Sequence, residues 1–283
     1  MRNAMQLKAL LKNIAKKKKI SAQLVLQNYM LERFLERVSM SVYQHNFVLK
    51  GGFLLASMLG LEARATMDMD VTIQRYPVTI SSVEKMIREI IEITAGDNIF
   101  FTFKDIGEIR EGDEYSGYRV ALSANYPPMV VPLKLDITTG DRITPHEVQY
   151  NYKLMLEDRS SSVLAYNLVT ILAEKLECVI SRGDQNTRMR DYYDIYILTK
   201  LQSENIDWET LAVALQATSE KRSSSLLIQG YGKTIDEVKN SEVMNQQWNN
   251  YRKDFFYAAD ITFVETCDAV IHAMENINKY SFK

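Results

Sequence analysis

The stretch from Phe47 to Ile73 constrains the chain more than any other. It opens on the apolar run Phe47-Val48-Leu49, short enough for a buried strand, and passes through Lys50 into Gly51-Gly52. Two glycines let the backbone turn tightly and let a ligand come close. The unbranched apolar segment from Phe53 to Leu61 suits a short helix, and Met69-Asp70-Val71-Thr72-Ile73 alternates as a second strand. On an extended backbone Asp68, Asp70 and Thr72 share one face, while Met69, Val71 and Ile73 share the other. Two carboxylates about 6–7 Å apart on one face repel each other unless a cation lies between them. Mg2+, or Mn2+ in its place, fits that role, because it takes one or two carboxylates and completes its shell with water and phosphate oxygens. Alone, an Asp-x-Asp pair is an ordinary strand end and a Gly-Gly pair an ordinary turn. Strand, Gly-Gly, helix and then Arg64-x-Thr66-x-Asp68-x-Asp70 is a much narrower pattern, and it points to a nucleotide and metal site.

A third carboxylate comes from Val130 to Thr138, where Leu133, Leu135 and Ile137 alternate with Lys134, Asp136 and Thr138. If this strand lies beside the second one, Asp136 joins Asp68 and Asp70, and Lys134 offsets charge or touches phosphate. Beyond about residue 155 the pattern turns helical. A helix is expected from Ser161 or Ser162 to Ser181, with Leu164, Leu168, Leu172, Leu176 and Val179 as its buried stripe. Lys175 and Arg182, seven residues apart, share another of its faces. In the next helix Asp191 and Asp194 are neighbours at i, i+3. Two readings of that pair stay open: a surface ion-pair cluster that anchors two helices, or part of the reaction site.

Elsewhere, Leu7, Leu10, Leu11 and Ile14 mark a first helix, with Lys16-Lys17-Lys18-Lys19 at its C-terminal end, where cations are favoured. Ser21 is placed to cap a second helix running to about Tyr43. Ser81-Ser82-x-Glu84 reads as another helix start, residues 98–107 and Tyr118 to Tyr126 as strands, and Gly112-Asp113 as a turn between them. Further helices are expected at about 207–221, 233–257 and 262–278. Residues 1–50 carry a net charge of +8 and the remainder −10, so one segment alone is suited to a polyanion. Hydrophobic residues make up 46% and charged residues 25%, the balance of a soluble globular protein, and no run has the length of a membrane span. Cys178 and Cys267 stand far apart as small apolar residues, which fits a reducing cytoplasm. His45, His146 and His272 are too scattered to build a zinc site.

With these pieces assembled, the sequence resembles the DNA-polymerase-β-like nucleotidyltransferases, and within them the AbiEii type of abortive-infection and toxin–antitoxin enzymes. Lys50-Gly51-Gly52, Arg64-x-Thr66-x-Asp68-x-Asp70, Lys134-Leu135-Asp136, Glu174-Lys175 and Arg190-Asp191-x-x-Asp194 carry the resemblance. It implies an α/β (α+β) fold with a mixed-sheet core over residues 46–155, an N-terminal helical segment over 1–45 and a C-terminal helical domain over 156–283. It implies transfer of a nucleotide from an NTP to an RNA acceptor, the 3′ end of tRNA, in a toxin for phage defence neutralised by a co-encoded AbiEi-type antitoxin. Whether the antitoxin makes direct contact stays open. Asp68, Asp70 and Asp136 would hold metal and do the chemistry together with Lys175 and Asp191. Lys50, Gly51, Gly52, Arg64, Thr66, Lys134, Arg182 and Asp194 would bind nucleotide, and Lys16 to Lys19 would hold RNA. Two alternatives are transfer to a protein hydroxyl and an inactive fold serving as a binding module. The superfamily's usual Gly-Ser is Gly51-Gly52 here, and the Thr66 hydroxyl is the candidate replacement.

Overall fold

Strands between Phe47 and Ala165 build a single sheet among the described residues. The computed structural model describes residues 4–109 and 117–281, so the turn expected at Gly112-Asp113 lies outside the described residues. The strands are β1 (Phe47–Lys50), β2 (Met69–Ile73), β3 (Phe100–Ile109), β4 (Gly117–Tyr126), β5 (Met129–Thr139), β6 (Val148–Lys153) and β7 (Ser160–Ala165). Among the described residues they form one seven-stranded mixed sheet in the order β3-β4-β5-β2-β1-β7-β6. β2 runs parallel to β5 and β1 parallel to β7, and the other neighbours are antiparallel. The register sets Met69 beside Leu135, Val71 between Leu49 and Ile137, and Val120 beside Leu135. All six side chains are buried, so this face of the sheet is a core face. The α/β class and the mixed sheet read from the sequence are those of the structure.

The same unit, which extends to Asp141 and takes in Glu147–Ala165, holds helices α1 (Ala4–Lys18), α2 (Ala22–Met40), α3 (Gly51–Leu59) and α4 (Ile80–Ile91). Ser21 caps α2 by accepting the Leu24 N–H at 3.0 Å. α4 starts just ahead of the expected serines: Thr79 is its cap, and Ser82 completes a capping box. α2 packs against β5, β7 and α4, and buries an ionic row of Glu32, Arg33, Glu36 and Arg37 within the fold. Burying such charges is costly unless each is paired. Arg37 grips both carboxylate oxygens of Asp97 at 2.9 and 2.8 Å and donates to the Ile99 carbonyl at 2.7 Å, tying α2 to the approach of β3. Arg33 reaches Glu157 at 2.7 Å, which ties the helix to the approach of β7.

The second unit comprises Arg142–His146 and the chain from Tyr166 onward. Its helices are α5 (Leu168–Arg182), α6 (Met189–Leu201), α7 (Trp208–Lys221), α8 (Ser225–Gln229), α9 (Tyr231–Asn240), α10 (Glu242–Asp254) and α11 (Phe263–Ser281). α5 packs on α6 and α7, and α11 on α6, α7 and α9. The buried Trp248 satisfies its indole N–H on the Ile261 carbonyl at 2.9 Å. Cys178 and Cys267 are buried free thiols on α5 and α11. None of the helices among the described residues is long and apolar enough to cross a membrane.

Two sequence expectations are corrected here. The helix expected from Ser161 is strand β7 over Ser160–Ala165, paired with the unanticipated β6. The helix begins only at Leu168, behind Asn167, which accepts the Thr170 N–H at 2.8 Å. Leu164 falls at helical spacing from Leu168 by coincidence, while Ser161, Val163 and Ala165 bury at the period of a strand. The helix expected over 233–257 is divided at Ser241, whose hydroxyl accepts the Met244 N–H and starts α10.

The Arg37–Asp97 pair yields a stability test. Burial opposes ionisation of Asp97, but hydrogen bonds and charge from Arg37 outweigh it and hold the carboxyl below its usual 3.8. Its contribution is therefore present above pH 3.8 and lost as pH falls through the folded-state value. Asp97→Asn leaves the Arg37 charge buried without its counter-ion and is expected to cost about 3 kcal/mol at neutral pH. Urea unfolding of wild type and variant should show a constant gap at neutral pH that closes under acid conditions. A gap that is independent of pH would rule the pair out as its source.

Candidate functional site

On the face opposite that core, four charged side chains line up across four adjacent strands. Lys50 on β1 stands opposite Asp70 on β2, Asp70 opposite Asp136 on β5, and Asp136 opposite Arg119 on β4. Neighbouring strands lie about 4.8 Å apart, so directly opposed side chains project from the same face as close neighbours. The row reads plus, minus, minus, plus. Burial, followed by the negative charges of Asp68 and Asp136, pushes the Asp70 carboxyl above its usual 3.8. Lys50 and the Gly52 N–H offset that only in part. The flanking cations are anchored on both sides. Arg119 donates from Nε and Nη2 to the two oxygens of Asp136 at 2.8 and 2.7 Å. Lys50 meets Asp141 at 2.5 Å, and the Thr138 hydroxyl donates to the same carboxylate at 2.6 Å. Burial works against ionisation of Asp141, but the Lys50 charge and hydrogen bonds from Lys50, Thr138 and Thr72 hold its carboxyl far below the usual range.

The two glycines are required by what approaches them. Gly51 has φ +66°, a left-handed conformation, and a Cβ there would sit 2.1 Å from Oδ2 of Asp70. At Gly52 a Cβ would lie 2.8 Å from the Thr66 hydroxyl and 3.4 Å from Nη2 of Arg64. Thr66 thus occupies, from the opposite direction, the space into which a serine at 52 would project. Its hydroxyl donates to Oδ1 of Asp68 at 3.0 Å. Arg64 is buried and donates from Nη1 to the Ala65 carbonyl at 2.6 Å. Lys134 is exposed on β5, two residues before Asp136.

Asp68 is engaged by Thr66 and Asp136 by Arg119. Among the described residues no three His, Cys, Asp or Glu side chains are gathered into a group that holds a metal as they stand. Asp68 and Asp70 together still offer the two carboxylates that a phosphate-bound Mg2+ needs, and the raised Asp70 carboxyl is the strain that a cation would relieve.

Other expected residues fall elsewhere in the first unit or in the second. Lys16, Lys17 and Lys19 are exposed, whereas Lys18 pairs with Glu62 at 2.5 Å, in the turn before Arg64. That contact fixes the end of α1 beside the loop that carries Arg64 and Thr66. Lys8, Lys12 and Lys16 are exposed at four-residue spacing, so a basic stripe runs along α1. In the second unit Lys175 on α5 is held between Asp191 at 2.8 Å and Asp194 at 2.6 Å on α6, and Cys178 donates weakly to Asp191. Asp194 is fully buried, so this cluster, expected at the surface if structural, is interior. Burial opposes ionisation of Asp191, but Lys175 outweighs it and holds the carboxyl below its usual value. Arg182 is exposed at the end of α5.

Arg119 and Asp141 were not among the residues singled out from the sequence. Their partners lie 17 and 91 residues away, and only strand register brings them together.

A mixed sheet with a strand–Gly-Gly–helix–strand unit, two aspartates at the mouth of one strand and a third on its parallel neighbour is the arrangement expected of the nucleotidyltransferases that the sequence resembles. Two solved structures share the fold: a provisionally assigned nucleotidyltransferase from H. pylori and JHP933 from Helicobacter pylori. Each has a TM-score of 0.50 and 20% identity over 92% of this chain, covering 97% of the first and 94% of the second. No curated protein matches the sequence. Residues 33–273 match the family described as nucleotidyl transferase AbiEii toxin of type IV toxin–antitoxin systems, and the chain belongs to that family. It is a nucleotidyltransferase of the toxin–antitoxin kind.

The crowding at Gly52 is testable. Gly52→Ser adds a hydroxyl but drives its Cβ against Thr66, so nucleotide binding and thermal stability should both fall. Gly52→Ser combined with Thr66→Ala removes the nearest atom and should recover stability. If the single variant is as stable as wild type, the close approach of Thr66 is wrong.

Proposed function

We propose that the protein transfers a nucleotide from an NTP to an RNA acceptor, the 3′ end of tRNA, with Mg2+ (or Mn2+) held by Asp68 and Asp70. The observation that carries this reading is the pair of adjacent carboxylates, one forced up in pKa, set against the N-terminal glycines of α3. Asp68 and Asp70 would hold the ion, which would supply positive charge against the negative charge developing on the departing pyrophosphate. Backbone amides at Gly51 and Gly52, with the Thr66 hydroxyl, orient phosphate oxygens at the start of the helix. Lys50, Arg64 and Lys134 supply positive charge to the nucleotide side. Asp136 faces the attacking hydroxyl, whose oxygen bonds to the α-phosphorus as the bond to pyrophosphate breaks and its proton passes to a carboxylate.

In this reading residues 1–45 hold the acceptor and 46–155 carry the transfer chemistry. The lysine stripe on α1, with Lys16, Lys17 and Lys19 at its end, tracks the RNA backbone. A cytoplasmic location, phage defence and neutralisation by an AbiEi-type antitoxin belong to the same proposal.

The deciding experiment incubates the protein with each labelled triphosphate, Mg2+ and total cellular RNA or protein. Label in tRNA, abolished by Asp70→Asn, is expected. Label in a protein band with none in RNA would move the acceptor to a protein hydroxyl. No label anywhere would favour an inactive binding module.

Two further outcomes are expected. Because the folded-state value of Asp70 is raised, the metal-free protein loses stability as pH rises above 3.8 through that value. Asp70→Asn should therefore raise the melting midpoint of the metal-free protein at neutral pH and remove any further rise on adding Mn2+. Replacing Lys16, Lys17 and Lys19 by Gln should weaken RNA binding and flatten its dependence on salt, with triphosphate binding unchanged. An unaltered salt slope would take the lysines out of the acceptor site.

A further inference from the structure

Arg119 holds Asp136 in a way that the proposed metal chemistry must undo. The guanidinium engages both carboxylate oxygens at 2.8 and 2.7 Å, the bidentate geometry in which arginine binds carboxylates most strongly. It stands at the end of the cross-sheet row, and the negative charges of Asp68 and Asp70, beyond that of Asp136, also act on it. Its side chain is 49% exposed while that of Asp136 is 17% exposed, so the carboxylate is fixed and the arginine has room to swing away. Three carboxylates on one face need positive charge, and Arg119 supplies it to the third.

We propose that Arg119 is a positioning residue that acts as the resident counter-cation of Asp136 and competes directly with the divalent ion for that carboxylate. This inference rests on the metal reading of Asp68 and Asp70. With Arg119 in place, both oxygens of Asp136 are engaged and the carboxylate is closed to a metal. When an ion takes the site, the guanidinium leaves Asp136 and is freed on the open side of the sheet, where its planar fork matches phosphate oxygens as well as it matched a carboxylate. The exchange replaces one positive charge with two, so the carboxylates are never left unscreened.

The test measures Mn2+ binding alone, without nucleotide, from the loss of the free-ion paramagnetic resonance signal. Wild type, R119A, R119K and D70N are compared, each checked for an unchanged fold by circular dichroism. If Arg119 competes for the ion, R119A binds Mn2+ about tenfold more tightly than wild type. R119K keeps the charge but cannot grip both oxygens, so it moves most of the way toward R119A. R119A and wild type binding equally would overturn the inference, and so would R119K matching wild type, since that would show background charge and not occupancy of Asp136. Failure of the metal reading looks different: wild type and D70N would then bind Mn2+ equally poorly, and R119A would do no better.

Discussion

Repulsion between Asp70 and Asp136 is the constraint around which the first unit is arranged. Parallel pairing of β2 with β5 sets these two acids directly opposite each other on the open face, and the same register stacks Met69, Val71, Leu135 and Ile137 on the core face. The apolar contacts on one side hold the carboxylates together on the other. A shift of one residue would expose the whole apolar set, so the register cannot relax to separate the charges. The remaining polar groups read as compensation: Lys50 and Arg119 at the ends of the row, Asp141 and Thr138 behind Lys50, and the Gly52 N–H beneath Asp70.

That arrangement explains why glycine is required twice. Gly51 turns left-handed so that α3 can start against Asp70, and Gly52 leaves room for Thr66. The Thr66 hydroxyl is brought beside Gly52 by the loop before β2, whose position is fixed in turn by Glu62 and Lys18. A local motif therefore depends on a contact with the first helix, far outside the motif itself.

The central pieces were legible in the sequence because their signals are local. Asp70 and Asp136 sit on strands whose period-two alternation assigns the faces, Asp68 directly precedes the first of them, and Gly51-Gly52 marks the turn. Arg119 and Asp141 were not legible, because each gains its role from a strand paired only in three dimensions. β7 was mistaken for the start of a helix because Leu164 lies four residues before Leu168, and two periods fit the same few apolar residues. Helical spacing paired Asp191 with Asp194, but their ion pairs with Lys175 on another helix were not read from it. Nor was the burial of this cluster, since charged residues are expected at the surface unless their partners are known.

The order in which the row is written along the chain has a consequence for synthesis. Lys50 and Asp70 leave the ribosome first, but β2 has no neighbour on its far side until β5 emerges with Asp136, and β1 has none until β7. No amino-terminal fragment that stops short of Asp136 holds the assembled carboxylates. Domains tend to fold as units during translation. A product of translation interrupted before Asp136 therefore lacks both the third carboxylate and the parallel neighbour of β2.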